Sequence, residues 1–436
     1  MKNSTRITLC MAILITLCLN CAQKAIPYNA DNWKIMDTKD QPQEIDLTTL
    51  YGKPCLHLPV GHIAYLIDST YKDFRLEMDI AGIAMPGLGF RGTDKRNYEY
   101  LYLRVMSDNQ EDALQYLPVF NGGFSWQLYN YPDYEHTFSY PKRYLYAVAG
   151  GDNDILIDGK PSEYLKEILL KGGITLSDQI FIGRSDSALW KILDGKNLTL
   201  HYLKMDPDSS RIYTGLEWIH LKLEVAGQKA VLFIDDMNTP AFIIDCLKHR
   251  GMPGFITFRN VFVESYYANF RIERLDAPVE SEPCEDGDGP PPEYLSEWEI
   301  SGRFQRNDRN IREQIDSVIA NTTNWRRVKS ESSGLINLSR YAEETEGSVL
   351  LKINVHSSAD KHVDLLFDYA EHLIISLNSE IVFSESLRMN NNEGRVMDGE
   401  EKTDLMLKKG DNQLVFVVTA DAYHQNWGVI AKLTDR

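Results

Sequence analysis

Apolar and polar positions alternate with period two through most of this chain. In residues 74–81, Phe74, Leu76, Met78 and Ile80 fall on one side and Arg75, Glu77 and Asp79 on the other, which predicts a strand with one face in a core and one toward solvent. Runs of the same kind recur at YEYLYLRV, FSWQLYN, WIHLKLEVAGQKAVLFIDD, GFITFRNVFVES and YYANFRIERL, separated by Gly, Asn and Asp. Short strands at this spacing predict an all-β chain built as an antiparallel β-sandwich. The rhythm breaks over about 146–214, where PSEYLKEILLKGG places Tyr164, Leu165, Ile168 and Leu169 on one helical stripe before a Gly-Gly stop; a partly helical insertion is predicted there.

The segment DAPVESEPCEDGDGPPPEYLSEW (276–298) is dense in Pro, Gly and acid and has no apolar period, the pattern of a linker. Beyond it, GSVLLKINVHSS, HVDLLFDYAEHLIISLNSEIVFSES, TDLMLKKGDNQLVFVVTA and WGVIAKLTD alternate again. The predicted organisation is a first sandwich over 28–277, a linker over 278–295 and a second, smaller β-sandwich over 296–436, the two halves separable at the linker.

One stretch of the first sandwich asks for a function. In LGFRGTDKRNYEYLYLRV (88–105), if Leu101, Leu103 and Val105 face the core, then Tyr98, Tyr100, Tyr102 and Arg104 line the opposite face, with Arg91 on the preceding strand. Such rings can stack on the C–H face of a sugar while Arg and Gln bond its hydroxyls. Arg91, Tyr98, Tyr100, Tyr102, Arg104, Gln115, Trp126 and Gln127 are therefore the candidate carbohydrate-binding group. Alternation forbids Gln115 and Tyr116, or Trp126 and Gln127, from sharing a face. The competing reading is a second apolar layer of tyrosines beneath the inserted segment.

Charge narrows the classes. The 436 residues are 43% hydrophobic and carry a net charge of −17, with 63 acidic against 46 basic residues, a balance unsuited to nucleic acid. Lys2 and Arg6 precede the apolar run ITLCMAILITLCL (7–19), which is too short to span a bilayer as a mature helix and reads as an export signal. It ends in LCLNC, so residues 1–21 are read as a lipoprotein-type signal with Cys21 as the lipidated residue. Asn20 departs from the usual small residue, which leaves a periplasmic or secreted form open beside an outer-membrane or cell-surface lipoprotein. A lipid anchor would be the sole membrane contact. Cys55, Cys246 and Cys284 then remain, an odd number with no C-x-x-C pair, read as buried free thiols with at most one disulfide.

Other constellations are thin. No cofactor is expected, apart from weak calcium candidates among Asp152, Asn153, Asp154 and Asp158, whose spacing is not that of an EF-hand. Ser185 in GRSDS lacks the closing Gly of a nucleophile elbow. H-E-x-x-H and G-x-x-x-x-G-K-[ST] are absent. In the second domain Trp427 reads as a core anchor, with a sugar contact together with the RMNNNEGR loop (388–395) as the alternative.

The stretches YKDFRLEMDIAG, GLGFRGTDKRNYEYLYLRV and DALQYLPVFNGGFSWQLY, together with LEWIHLKLEVAGQKAVLFIDD and YYANFRIE, resemble the concanavalin A-like lectin/glucanase superfamily, as in laminin-G-like and 3-keto-disaccharide hydrolase-like domains. The C-terminal part resembles galactose-binding-like jelly rolls. The resemblance implies a sandwich in a carbohydrate context, with an oligosaccharide or polysaccharide as partner. It also implies where catalysis would sit, since glucanases of this superfamily carry E-x-D-x-x-E on a strand. Here Glu77 and Asp79 are in place, but Ala81 and Gly82 stand where the next Glu belongs, leaving these two as weak catalytic candidates. The leading expectation is a non-catalytic, exported bacterial surface protein that binds glycans. A glycoside hydrolase or lyase with a non-standard carboxylate site is one alternative. A structural adhesion module without a sugar site is another, and it predicts that Tyr100 and Tyr102 are buried.

Overall fold

The computed structural model describes residues 25–140, 218–275, 289–385, 395–420 and 427–435 apart from short gaps, and the backbone of the strands alone between 144 and 215. Cys21, Cys284, the 161–173 helical candidate beyond Pro161, and Asp152, Asn153, Asp154 and Asp158 lie outside the described residues, as does the RMNNNEGR loop before Arg395.

The first sandwich pairs a nine-stranded sheet with a seven-stranded one. In the nine-stranded sheet Asn97–Leu103 lies antiparallel between Gly87–Asp94 and Leu114–Phe120. In the other, Phe74–Gly82 lies between Ile219–Ala226 and Ser265–Arg274. Alternation sorts the faces as the sequence predicts: Phe74, Leu76, Met78 and Ile80 from one sheet meet Leu101, Leu103 and Val105 from the other in a single core, because a one-residue slip would expose every one of them.

The inserted region carries five strands in a sheet of its own, in which Tyr144–Gly150 runs parallel to Leu198–Met205. Sequence periodicity missed these strands. ALWKIL is apolar at five of its six positions, and a run without alternation is not distinguished from a buried helix by periodicity.

The second sandwich has a six-stranded and a four-stranded sheet around Trp298, Phe367, Phe416 and Trp427. Trp427 is fully buried and its indole N–H donates to the Val418 carbonyl at 3.1 Å, so it is the core anchor of its strand. The helix Ile311–Asn321 sets Ile315 against Leu350, Ile374 and Val417, on the opposite face of the six-stranded sheet from that core.

The two sandwiches are not loosely strung. Leu128 and Tyr129 of the first pack with Leu335, Ala370, Val396 and Ile430 of the second. Within this junction the Glu331 carboxylate takes a hydrogen bond from the Tyr129 hydroxyl at 2.7 Å and ion pairs from Lys248 at 2.8 Å and Arg340 at 3.1 Å. Asn337 donates to Ser125 and Tyr129, each at 3.2 Å. The linker carries no apolar period, and the contact between the halves is made by residues far from it.

Candidate functional site

Tyr98, Tyr100 and Tyr102 point away from the core, and they are covered. Their relative exposures are 4%, 0% and 1%, beneath Phe124, Trp126, Phe255 and Met85. Tyr100 meets the rings of Phe124 at 5.2 Å and Tyr102 at 5.3 Å. Gly87 and Gly89 make the layer: a β-carbon at Gly87 would collide with the Tyr100 ring and hydroxyl, and one at Gly89 with Thr257 and the Tyr98 ring. The row is thus a second packed layer, not an open platform, and the reason is local. Rings of this size on a glycine-backed strand bury more apolar area against a covering loop than they would keep facing water.

Arg91 leaves the group altogether. It has a left-handed φ of 51° at the irregularity between Phe90 and Asp94, which turns its buried guanidinium to the Lys72 carbonyl at 2.7 Å and the Asp73 carboxylate at 3.1 Å. Gln115 does sit on the tyrosine face, opposite Tyr102, and is spent on structure. It accepts from the Tyr102 hydroxyl and donates to the Trp126 and Tyr129 carbonyls at 3.1 and 3.2 Å. Gln127 is buried, while its carbonyl takes the Val396 N–H of the second sandwich at 2.9 Å.

Alternation also carried a residue that attention to the tyrosines passed over. Glu99 shares the core face with Leu101 and is fully buried, accepting from the Tyr116 hydroxyl at 2.7 Å and the His249 backbone N–H at 2.9 Å. Burial pushes its carboxyl up to about 7 against those two donors. The signal was present in NYEYLYL: a lone acid in the apolar register.

The end of the row is different. Arg104 and Trp126 abut a cleft of about 530 Å³ on the junction of the two sandwiches, lined by Asn109, Gln110, Glu111, Asp112, Asn130, Tyr131, Glu135 and Thr137 of the first and Arg395 and Met397 of the second. Arg104 pairs with Asp112. Arg395 reaches Glu135 at 2.7 Å and Asp112 at 3.5 Å. The two guanidinium groups flank the Trp126 ring at 5.8 and 5.6 Å. Burial raises the Glu135 carboxyl although Arg395 and Arg104 pull it down. Tyr131 is 44% exposed and Met397 37%. A hydroxylated ring fits such a place: an exposed aromatic for its C–H face, carboxylates and amides for its hydroxyls. Arg395 ends the RMNNNEGR loop that the sequence singled out; no sequence signal placed it against Glu135.

Glu77 and Asp79 stand elsewhere, on the outward face of the seven-stranded sheet and away from the tyrosine row's sheet. Asp79 accepts from Lys53 at 2.6 Å, Asn269 at 2.6 Å and His220 Nδ1 at 2.8 Å. Burial would raise its carboxyl, but these donors outweigh it and hold it at about 2. His220 Nε2 lies 3.8 Å from Glu77. Asp79 is thus an ionised carboxylate held by three donors, apart from the tyrosine row.

No family model matches the chain, and no curated protein matches it in sequence. Among solved structures it is similar to the carbohydrate binding module CBM66 from Bacillus subtilis, at 12% identity over 57% of this chain and 99% of that one, with a TM-score of 0.27. A putative glycosyl hydrolase from Parabacteroides distasonis ATCC 8503 is similar at 12% identity over 58% and 98%, TM-score 0.27. Domains LG4-5 of the mouse laminin alpha1 chain follow at 7% identity over 94% and 90%, TM-score 0.19. These are weak likenesses, and the two-sheet sandwiches are established by the strand pairing of the chain itself.

Proposed function

We propose that this is an exported bacterial glycan-binding protein whose site is the junction cleft. The observation that carries the reading is the placement of solvent-exposed Tyr131 beside Asp112, Glu135 and Arg395 in one cleft. Carboxylates fixed by guanidinium groups are pre-organised acceptors for sugar hydroxyls, and the exposed Tyr131 ring in the same cleft supplies the stacking surface. Binding is read by affinity electrophoresis on a polysaccharide panel. Tyr131→Ala should weaken the retained ligand ten- to hundred-fold, about 1–3 kcal/mol for a lost stacking contact, with the fold intact because the ring is exposed. Unchanged binding in that variant rejects the cleft.

Export rests on residues 1–21. A palmitate analogue should label the wild-type chain and not Cys21→Ser; equal labelling rejects the anchor. The burial of Tyr100 and Tyr102 favours a second reading, an adhesion module without a sugar site, for which no polysaccharide on the panel would retard the protein.

A further inference from the structure

Resting on the glycan-binding reading, we propose that the cleft selects uncharged or amine-bearing sugars and rejects acidic ones. Both guanidinium groups at the cleft are already engaged, Arg104 by Asp112 and Arg395 by Asp112 and Glu135. Glu111 adds a third carboxylate on an exposed position of the lining. A sugar carboxylate or sulfate entering here meets more negative than positive charge, and like charges brought together oppose binding.

The test measures the full chain by titration calorimetry against neutral dextran and mannan oligosaccharides, chitosan oligosaccharides, and polygalacturonate and alginate oligomers of matched length. About 0.15 M salt limits the reach of the chain's overall negative charge to about 8 Å. Acidic oligomers should bind at least tenfold more weakly than neutral or aminated ones, and Glu111→Lys, at an exposed position, should close that gap. Acidic oligomers binding as well as neutral ones overturn the selectivity and leave glycan binding standing. No binding by any oligomer overturns the glycan reading itself. A gap unchanged by Glu111→Lys overturns the assignment of selectivity to this cleft.

Discussion

The hydroxyl of Tyr129 in the first sandwich donates to the carboxylate of Glu331 in the second at 2.7 Å. Glu331 is 4% exposed and also holds the buried Lys248 ammonium of the first sandwich. Removing the carboxylate strands that cation, and a buried charge left without its partner costs about 3–5 kcal/mol. Glu331→Ala should therefore lower the denaturant midpoint and divide one unfolding transition into two. Equal midpoints in variant and wild type would show that the apolar contacts alone join the halves.

Cleavage in the 276–298 segment should, for the same reason, leave two fragments that co-elute on size exclusion at neutral pH. Elution as two separate species would show that the junction is too weak to hold without the covalent link.

Tyr100 is predicted to matter for stability and not for binding. Truncating a fully buried aromatic costs about 3–5 kcal/mol, so Tyr100→Ala should unfold well below wild type. Tyr100→Phe keeps the ring and gives up only a long 3.5 Å hydrogen bond to the Arg259 carbonyl, about 0.5 kcal/mol. Loss of ligand affinity in a folded Tyr100→Phe protein would return the row to the binding surface.

The strands, their faces and the second sandwich were legible because alternation in runs such as FRLEMDIA records a core on one side. Tyr98, Tyr100 and Tyr102 were placed on the correct face for that reason. Whether that face is open was not legible, since the cover, Phe124, Trp126 and Phe255, comes from positions 22, 24 and 153 residues beyond Tyr102 in the chain, and period-two pattern says nothing of what lies beyond a sheet. Arg91 was misplaced because one left-handed residue at a strand irregularity ends strict alternation. Arg395 and Glu135 meet across 260 residues, a pairing that only the docked sandwiches create.

Glu99 and His249 should pull stability in opposite directions with pH. Burial raises the Glu99 carboxyl from 4.5 to about 7, so between those values the folded state holds a proton that the unfolded state has lost, and stability falls as pH rises. Burial lowers His249 from 6.5 to about 4; there the unfolded state holds the extra proton, and stability rises with pH. The slopes oppose each other over 4.5–6.5, each at most about 1.4 kcal/mol per pH unit. Glu99→Gln deletes the first. Its urea midpoint relative to wild type should climb from pH 4.5 to 7. A constant difference would mean that Glu99 is ionised throughout that range.

Arg395 should prove to be held by charge and not by packing alone. Its guanidinium lies 2.7 Å from the buried Glu135 carboxylate and 5.6 Å from the Trp126 ring, so Arg395→Ala removes both an ion pair and a ring contact. Left without that cation, Glu135 is a buried carboxyl whose burial already raises it, and the folded state will prefer it protonated. The sign follows: a raised carboxyl stabilises the fold below its titration and loses that advantage as pH rises through it. Arg395→Ala should thus lose about 3 kcal/mol at neutral pH and recover much of it toward mildly acidic pH, read as melting temperature against pH. Arg395→Lys should fall between, since one ammonium does not reproduce the fork that reaches Asp112 and Glu135 together. Glu135→Gln in the Arg395→Ala background should flatten the profile by removing the group that titrates. A loss of the same size at every pH, unaltered by Glu135→Gln, would assign the effect to the Trp126 contact and leave the ion pair without a part in joining the cleft walls.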